Sequence, residues 1–287
     1  MADELRIIAW NIDNLVSRVV PAPAIASHGL RASLARLGEP DVLCLQEIRL
    51  RPKDEALIDM MERALPGYRC HASLARDPRN VTHHGGRSYG VATYVNTRVG
   101  ESIATTPPWD REGRVLVTEL PAHGLAIVNV YGVQGSSTPY YDHQLGRTYG
   151  DRHAFKCRVQ ARLAELAGAL AARGLAIVMI GDWNVARTRD DVHPRLRTEE
   201  PHVVARDELD HKFLRELGLV DAYRELHPDE RAYTWFDPGA RTLEAARLDF
   251  ALVSAWLMPR VREASILDDP EDRPGSDHAP ITLTLAL

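Results

Sequence analysis

Leu175-Ala176-Ile177-Val178-Met179-Ile180-Gly181-Asp182-Trp183-Asn184 is an apolar strand that runs straight into a carboxylate and an amide. The same grammar recurs in Trp10-Asn11-Ile12-Asp13, Leu45-Gln46-Glu47, Arg247-Leu248-Asp249 and Gly275-Ser276-Asp277-His278. Asp and Asn are ordinary turn formers after strands, so one such segment alone says little. Five of them, spread from end to end of one chain, point to a shared polar site at strand ends.

Working outward, strands and helices alternate without a clear linker. Leu5 to Ile12 reads as a buried strand, His28 to Leu37 as a short helix, and Asp41 to Gln46 as a second strand after Pro40. Asp54 to Leu65 reads as a helix stopped by Pro66-Gly67. Tyr89 to Asn96 and Leu116 to Leu120 alternate like half-buried strands, and Leu125 to Tyr131 is an apolar strand. Asp151 can cap a helix reaching Arg173, with Phe155, Val159, Leu163, Leu166 and Leu170 on one face and Gly174 past its end. A helix from Asp207 to Leu217 and strands at Arg247 to Val253 and Ile281 to Leu285 follow. The class is α/β, with interleaved hairpins that a plain doubly wound parallel sheet would not need.

The 287 residues, 45% of them hydrophobic, suit one globular domain over residues 1–287. The longest apolar runs fall far short of the roughly 20 residues that span a bilayer, so no membrane partner is expected. A strand-like run from Leu5, without the charged start and long apolar stretch of a secretory signal, predicts a cytoplasmic protein. Cys44, Cys70 and Cys157 lie far apart, with no zinc spacing, and Cys44 reads as a buried apolar residue. A net charge of −5 argues against bulk coating of nucleic acid but leaves room for local grip on phosphates. Lysine occurs only at positions 53, 156 and 212, and the remaining basic residues are arginine, whose fork suits phosphate. A GC-rich genome explains the same bias more simply.

The five clusters have the chemistry of a metal-dependent phosphodiesterase. Cleaving a phosphodiester adds charge to a group already negative, so the site must supply a cation and hold a water in line. Magnesium takes oxygen ligands and keeps several waters, so one or two carboxylates hold it. Glu47 is the first candidate, since a charge at the end of an apolar strand has no packing role, and Asp13 and Asp277 complete the site or bind a second ion. Asp182 and Asn184, two apart on an extended segment, share a face and can orient or deprotonate the water. His278 can donate to a phosphate oxygen or act as base, with Asp249 fixing its tautomer. Taken singly, Asp13 and Asp182 are more often loop caps, and Trp10, Trp183 and Trp235 more often core.

These segments resemble the endonuclease/exonuclease/phosphatase superfamily and, within it, the exonuclease III-like AP endonuclease branch. The resemblance runs through Ala9-Trp10-Asn11-Ile12-Asp13, Cys44-Leu45-Gln46-Glu47, Ser88-Tyr89-Gly90-Val91-Ala92-Thr93, Asn129-Val130-Tyr131, Gly181-Asp182-Trp183-Asn184-Val185-Ala186, Arg247-Leu248-Asp249 and Ser276-Asp277-His278-Ala279-Pro280. It implies a DNase I-like, four-layer α/β/β/α sandwich of two mixed sheets with the active site at one rim. By that resemblance Asn11, Asp13, Glu47 and Asp277 surround a Mg²⁺ ion, or Mn²⁺ in its place. Tyr131, Asp182, Asn184 and the Asp249–His278 pair serve phosphate and water. Tyr131 favours the repair branch, because the other relatives tend to carry histidine there. The implied partner is duplex DNA with an abasic site, nick or recessed end, cut by AP endonuclease action, 3′–5′ exonuclease action or both; a monomer is favoured.

Three features depart from that branch. Gln134 stands where the repair enzymes place a phosphate-contacting asparagine. Ala246 replaces a large apolar residue, leaving Trp235 and Leu248, with Arg247 between, to meet the substrate. The long stretch from Gly135 to Arg152 offers Tyr140, Tyr141, Tyr149 and Arg147 either as stacking faces for unpaired bases or as loop staples. The competing function is a phosphatase or phosphodiesterase for a small phosphorylated molecule.

Overall fold

The computed structural model describes residues 4–15, 29–80, 89–192, 200–237, 239 and 244–287. The first half supplies β1 (Glu4–Asn11), β2 (Val42–Gln46), β3 (Tyr68–Ser73), β4 (Val91–Asn96), β5 (Ile103–Thr105), β6 (Val115–Leu120) and β7 (Leu125–Tyr131). After these come β8 (Pro139–Asp142), β9 (Arg147–Asp151), β10 (Ala176–Asp182), β11 (Leu219–Asp221), β12 (Trp235–Phe236) and β13 (Ala245–Ala246). The chain closes with β14 (Asp249–Ser254), β15 (Val261–Ile266) and β16 (Ile281–Ala286). The helices are α1 (Leu30–Leu37), α2 (Glu55–Glu62), α3 (Arg152–Ala172), α4 (Glu200–Leu209) and α5 (Ala222–Leu226).

Two six-stranded sheets carry the architecture, in the orders β15-β16-β1-β2-β4-β3 and β11-β14-β10-β7-β6-β5. Each is mixed: β1 runs parallel to β2 and antiparallel to β16, and β10 runs parallel to β7 and antiparallel to β14. Side chains alternate across a strand with period two, and that alternation builds the layers. Leu5, Ile7 and Ala9 of β1 meet Ile127, Val178, Ile180, Ala251 and Val253 of the other sheet in one buried cluster. Ile8 and Trp10 point outward and pack under α1 and α2, with Leu34 and Met61. Val128 and Met179 likewise point outward, under Val159, Leu163 and Leu170 of α3. Helix, sheet, sheet, helix is the four-layer sandwich that the resemblance implied.

The same period decides what stands at the rim. Continuing each inward series by two residues gives Asn11 after Ala9, Tyr131 after Asn129, and Asp182 after Ile180, all buried. The register sets Asp182 beside Tyr131 on one side and Asp249 on the other, a polar row across three strands. Polar bonds tie the sheets together just below it: Gln46 Nε2 donates to Asn129 Oδ1 at 2.7 Å, and Asn129 Nδ2 donates to Ala92 O at 2.9 Å. Gly181 permits this approach, since a Cβ there would lie 2.2 Å from Val130 O and 2.9 Å from Gln46 Nε2.

Several boundaries moved. The helix start expected at His28 lies outside the described residues, as does Ser88; α1 begins at Leu30 after Gly29. The helix expected over Asp207 to Leu217 is α4 running into a π-helical turn over Asp210–Glu216. Asp151 caps α3 as expected, accepting from Ala154 N at 2.9 Å. The long stretch after Gln134 is the β8–β9 hairpin, and Tyr140 is a staple in it, 7% exposed and stacked 3.9 Å from Phe155 of α3. Among the described residues no helix is long and apolar enough to cross a membrane.

Candidate active site

A cavity of about 330 Å³ opens at the rim. Asp13, Glu47, Tyr131, Asp182, Asn184, Asp277 and His278 line it, and Gln134, Trp235 and Leu248 form further wall. Asn11 and Asp249 stand directly behind. Asn11 Nδ2 donates to Glu47 Oε1 at 3.1 Å and to Asp182 Oδ2 at 3.0 Å, bridging the two sheets. Backbone strain concentrates here: Asp13, Asn14, Glu47, Arg49 and Asn184 are the non-glycine residues with positive φ among those described. Such conformations cost on the order of 1–3 kcal/mol each and cluster at functional sites.

Glu47 is held from three directions. Tyr131 Oη donates to its Oε1 at 2.7 Å, Asn11 to the same oxygen, and Arg49 Nη2 to Oε2 at 2.7 Å. Burial alone would raise its pKa; the hydrogen bonds from Arg49 and Tyr131 outweigh that and hold it below the usual value, so it is a carboxylate at neutral pH. Asp13 goes the other way, raised by burial and by the charges of Glu47 and Asp277 against the pull of Arg49. Tyr131 stays a phenol, because burial and the Glu47 charge push its pKa well up. Arg49 also reaches Asp13, so one guanidinium sits between the two carboxylates. Asp277 accepts from Trp235 Nε1 at 3.0 Å, which fixes both at the cavity edge.

The second cluster is drier. His278 Nδ1 lies 2.8 Å from Asp249 Oδ2, and its Nε2 lies 4.0 Å from Asp182 Oδ2. Burial alone would lower the imidazole pKa, but the charges of Asp249 and Asp182 overcome it and raise the value. Asp182 is raised mainly by burial, with Asp249 adding to it and His278 opposing. A carboxylate poised near neutrality on the cavity wall can exchange a proton with a group bound there. Asn184 Nδ2 donates to Asp182 Oδ2 at 3.1 Å, so the two expected to share a face do so.

One expectation is corrected. Arg247 is fully buried and makes no part of the cavity wall; its guanidinium bonds Asp191 at 2.7 and 3.1 Å and Asp221 at 2.7 and 3.2 Å. Those partners lie far off in sequence, so adjacency to Leu248 and Asp249 misplaced it. Sequence reasoning also passed over Arg49, Arg114 and Lys156. Arg114 is sandwiched 4.2 Å from the Tyr89 ring and 4.7 Å from the Tyr131 ring, which steadies the phenol. Lys156 did leave a signal, a charge in the buried stripe Lys156, Val159, Leu163 of α3.

Carboxylates that converge on one cation, beside a histidine–aspartate pair on the rim of two packed sheets, define a phosphoester-hydrolysing enzyme. Residues 8–278 match the endonuclease/exonuclease/phosphatase family, and the chain belongs to that family. It is 28% identical over 304 residues to the DNA repair nuclease APEX1 of Danio rerio, covering 100% of this chain and 84% of that protein. It is 28% identical over 299 residues to a DNA-(apurinic or apyrimidinic site) endonuclease of Dictyostelium discoideum, covering 99% of this chain and 72% of the other. Among solved structures it is similar to the 3′ phosphatase NExo from Neisseria bound to a product DNA hairpin, with TM-score 0.70 and 27% identity over 99% of this chain and 100% of that one.

Proposed function

We propose that this chain is a divalent-metal-dependent DNA nuclease of repair, one catalytic domain that hydrolyses phosphodiester bonds at abasic sites, at 3′ ends or at both. The observation that carries this is the row Tyr131, Asp182, Asp249 set by strand register against Asn11 and Glu47 of the facing sheet. The relatives named above, a repair nuclease, an apurinic-site endonuclease and a DNA-bound 3′ phosphatase, favour DNA over a small phosphorylated molecule. The cysteines are free, in keeping with a reducing, cytoplasmic setting.

Glu47 and Asp13, with Asp277 and Asn11, would hold Mg²⁺, or Mn²⁺ in its place. Arg49 supports the fit, because the Asp13 and Glu47 carboxylates already converge on one positive group. A divalent ion there supplies charge that a phosphoryl transition state needs. Asp182, Asp249 and His278 also form a buried group whose ligand atoms lie within 4.8 Å of one another. That group is a poorer metal site, since Asp249 occupies Nδ1 and two carboxylates keep the ring protonated, without a lone pair to give. Asp182 takes the proton of the attacking water, Asn184 orients it, and His278, held by Asp249, donates to a non-bridging oxygen. Tyr131 aims Glu47, while Gln134, Trp235 and Leu248 meet the substrate.

Glu47→Gln tests the metal assignment, because it keeps shape and removes charge. The metal concentration for half-maximal rate should rise at least about tenfold, since even losing an outer partner of a metal ligand typically costs about 10- to 100-fold in affinity. An unchanged metal titration would remove Glu47 from the site.

A further inference from the structure

We propose that the same cavity holds a separate phosphate subsite, formed by Lys156 and Arg206, which takes the phosphate on the 3′ side of the bound sugar and so favours internal over terminal cleavage. The substrate's part in this rests on the nuclease reading above; the anion site itself does not.

Lys156 is 2% exposed, yet it lines the cavity. Its Nζ donates to Asn184 O at 2.6 Å and to Gln134 O at 3.3 Å. An ammonium has three donors, and the third has no acceptor among the described residues. Nor does Lys156 form an ion pair among those residues, although buried cations are ordinarily paired. Burial accordingly lowers its pKa, to about 8, with the Asp182 charge opposing. Arg206 of α4 lines the same cavity and donates through Nε to Ala186 O at 2.6 Å, and its terminal nitrogens have no acceptor among the described residues.

The other arginines around the site are committed: Arg49 to Asp13 and Glu47, Arg114 and Arg152 to Glu112, Arg247 to Asp191 and Asp221. Lys156 and Arg206 differ in keeping donors without an acceptor among the described residues. Both grip the short segment 184–186, one from α3 and one from α4, so their charges are fixed relative to Asp182 and Asn184. His202, one turn before Arg206, adds a further wall to this end of the pocket.

Two cations with spare donors, one of them desolvated, suit an oxyanion that accepts several charge-assisted hydrogen bonds. Next to a site that cuts a phosphodiester, the neighbouring phosphate of the same strand has that chemistry. An internal abasic sugar carries one on its 3′ side, and a recessed 3′ terminus ends in a hydroxyl.

The test has two arms. In the first, metal-free protein in EDTA is titrated with inorganic phosphate by calorimetry. Saturable binding is expected, weakened at least about tenfold in Lys156→Met and in Arg206→Gln, a factor in keeping with losing one charge-assisted bond. Glu47→Gln should bind phosphate as well as the parent or better. Unchanged affinity in both basic-site variants overturns the subsite. Lys156→Arg, which keeps the charge, and Arg206→Gln, at a half-buried position, keep the test open if Lys156→Met fails to fold.

In the second arm, KM is compared on an internal abasic duplex and a recessed duplex. The basic-site variants should raise KM on the first at least about tenfold and leave the second nearly unchanged. A fall in kcat alone, equal on both, would mean that Lys156 acts only through Asn184, and would overturn the proposal. If the parent cuts neither duplex, the nuclease reading fails while the phosphate titration still decides the anion site.

Discussion

Asp249→Asn probes the driest part of the site. The substitution preserves shape and removes the charge 2.8 Å from His278 Nδ1, in a pair whose side chains are 7% and 1% exposed. Breaking a buried pair costs about 3–5 kcal/mol; because Asn can still offer its amide oxygen to the imidazole, the lower end, about 3 kcal/mol, is expected. The sign with pH follows from the raised pKa of His278, about 10 against an ordinary 6.5. Between those values the native protein keeps a proton that the unfolded chain releases. The stability this provides is complete below about pH 6.5 and is lost as pH rises through about 10. Denaturant titrations of parent and variant should therefore differ by about 3 kcal/mol at pH 6, shrinking by pH 10 to the 1 kcal/mol or so of a neutral hydrogen bond. A difference that stays constant with pH would refute a charged His278 in the native state.

Asp182→Asn should lower kcat roughly 10²-fold or more with KM nearly unchanged in steady-state assays, because its role is confined to the transition state. Arg247→Met leaves Asp191 and Asp221 buried without their cation and should cost about 3–5 kcal/mol in denaturant titration, while KM of the folded fraction stays constant. Tyr140→Ala removes the stack on Phe155 and should cost about 3 kcal/mol of stability; DNA affinity of the folded protein, measured by fluorescence anisotropy, should not change.

The α/β class was legible in the apolar runs of β1, β7 and β10, but these strands are buried on both faces, so only the resemblance implied the sandwich and only the structure shows the inward series that ends in Asn11, Tyr131 and Asp182 at the rim. Edge strands were not legible: β3 and β15 expose too many polar positions to read as strands, and β8–β9 carries turn residues between its tyrosines. Glu47, Asp277 and His278 could be read as strand-end charges without packing roles. Arg247 could not be placed, because its partners are 56 and 26 residues away and only the fold brings them in. Arg49 and Lys156 escaped for a related reason. One stands beyond a strand end and the other on a helix, so only the tertiary structure sets either against the carboxylates or the Asp182–Asn184 turn.

The central claim is metal-dependent cleavage of DNA, and purified protein on three labelled duplexes, intact, abasic and recessed, tests it directly. With Mg²⁺ or Mn²⁺ the abasic duplex, the recessed duplex or both should be cut, the intact duplex should resist, and EDTA should abolish the products. No cleavage of any duplex, or cleavage undiminished by EDTA, would contradict the account.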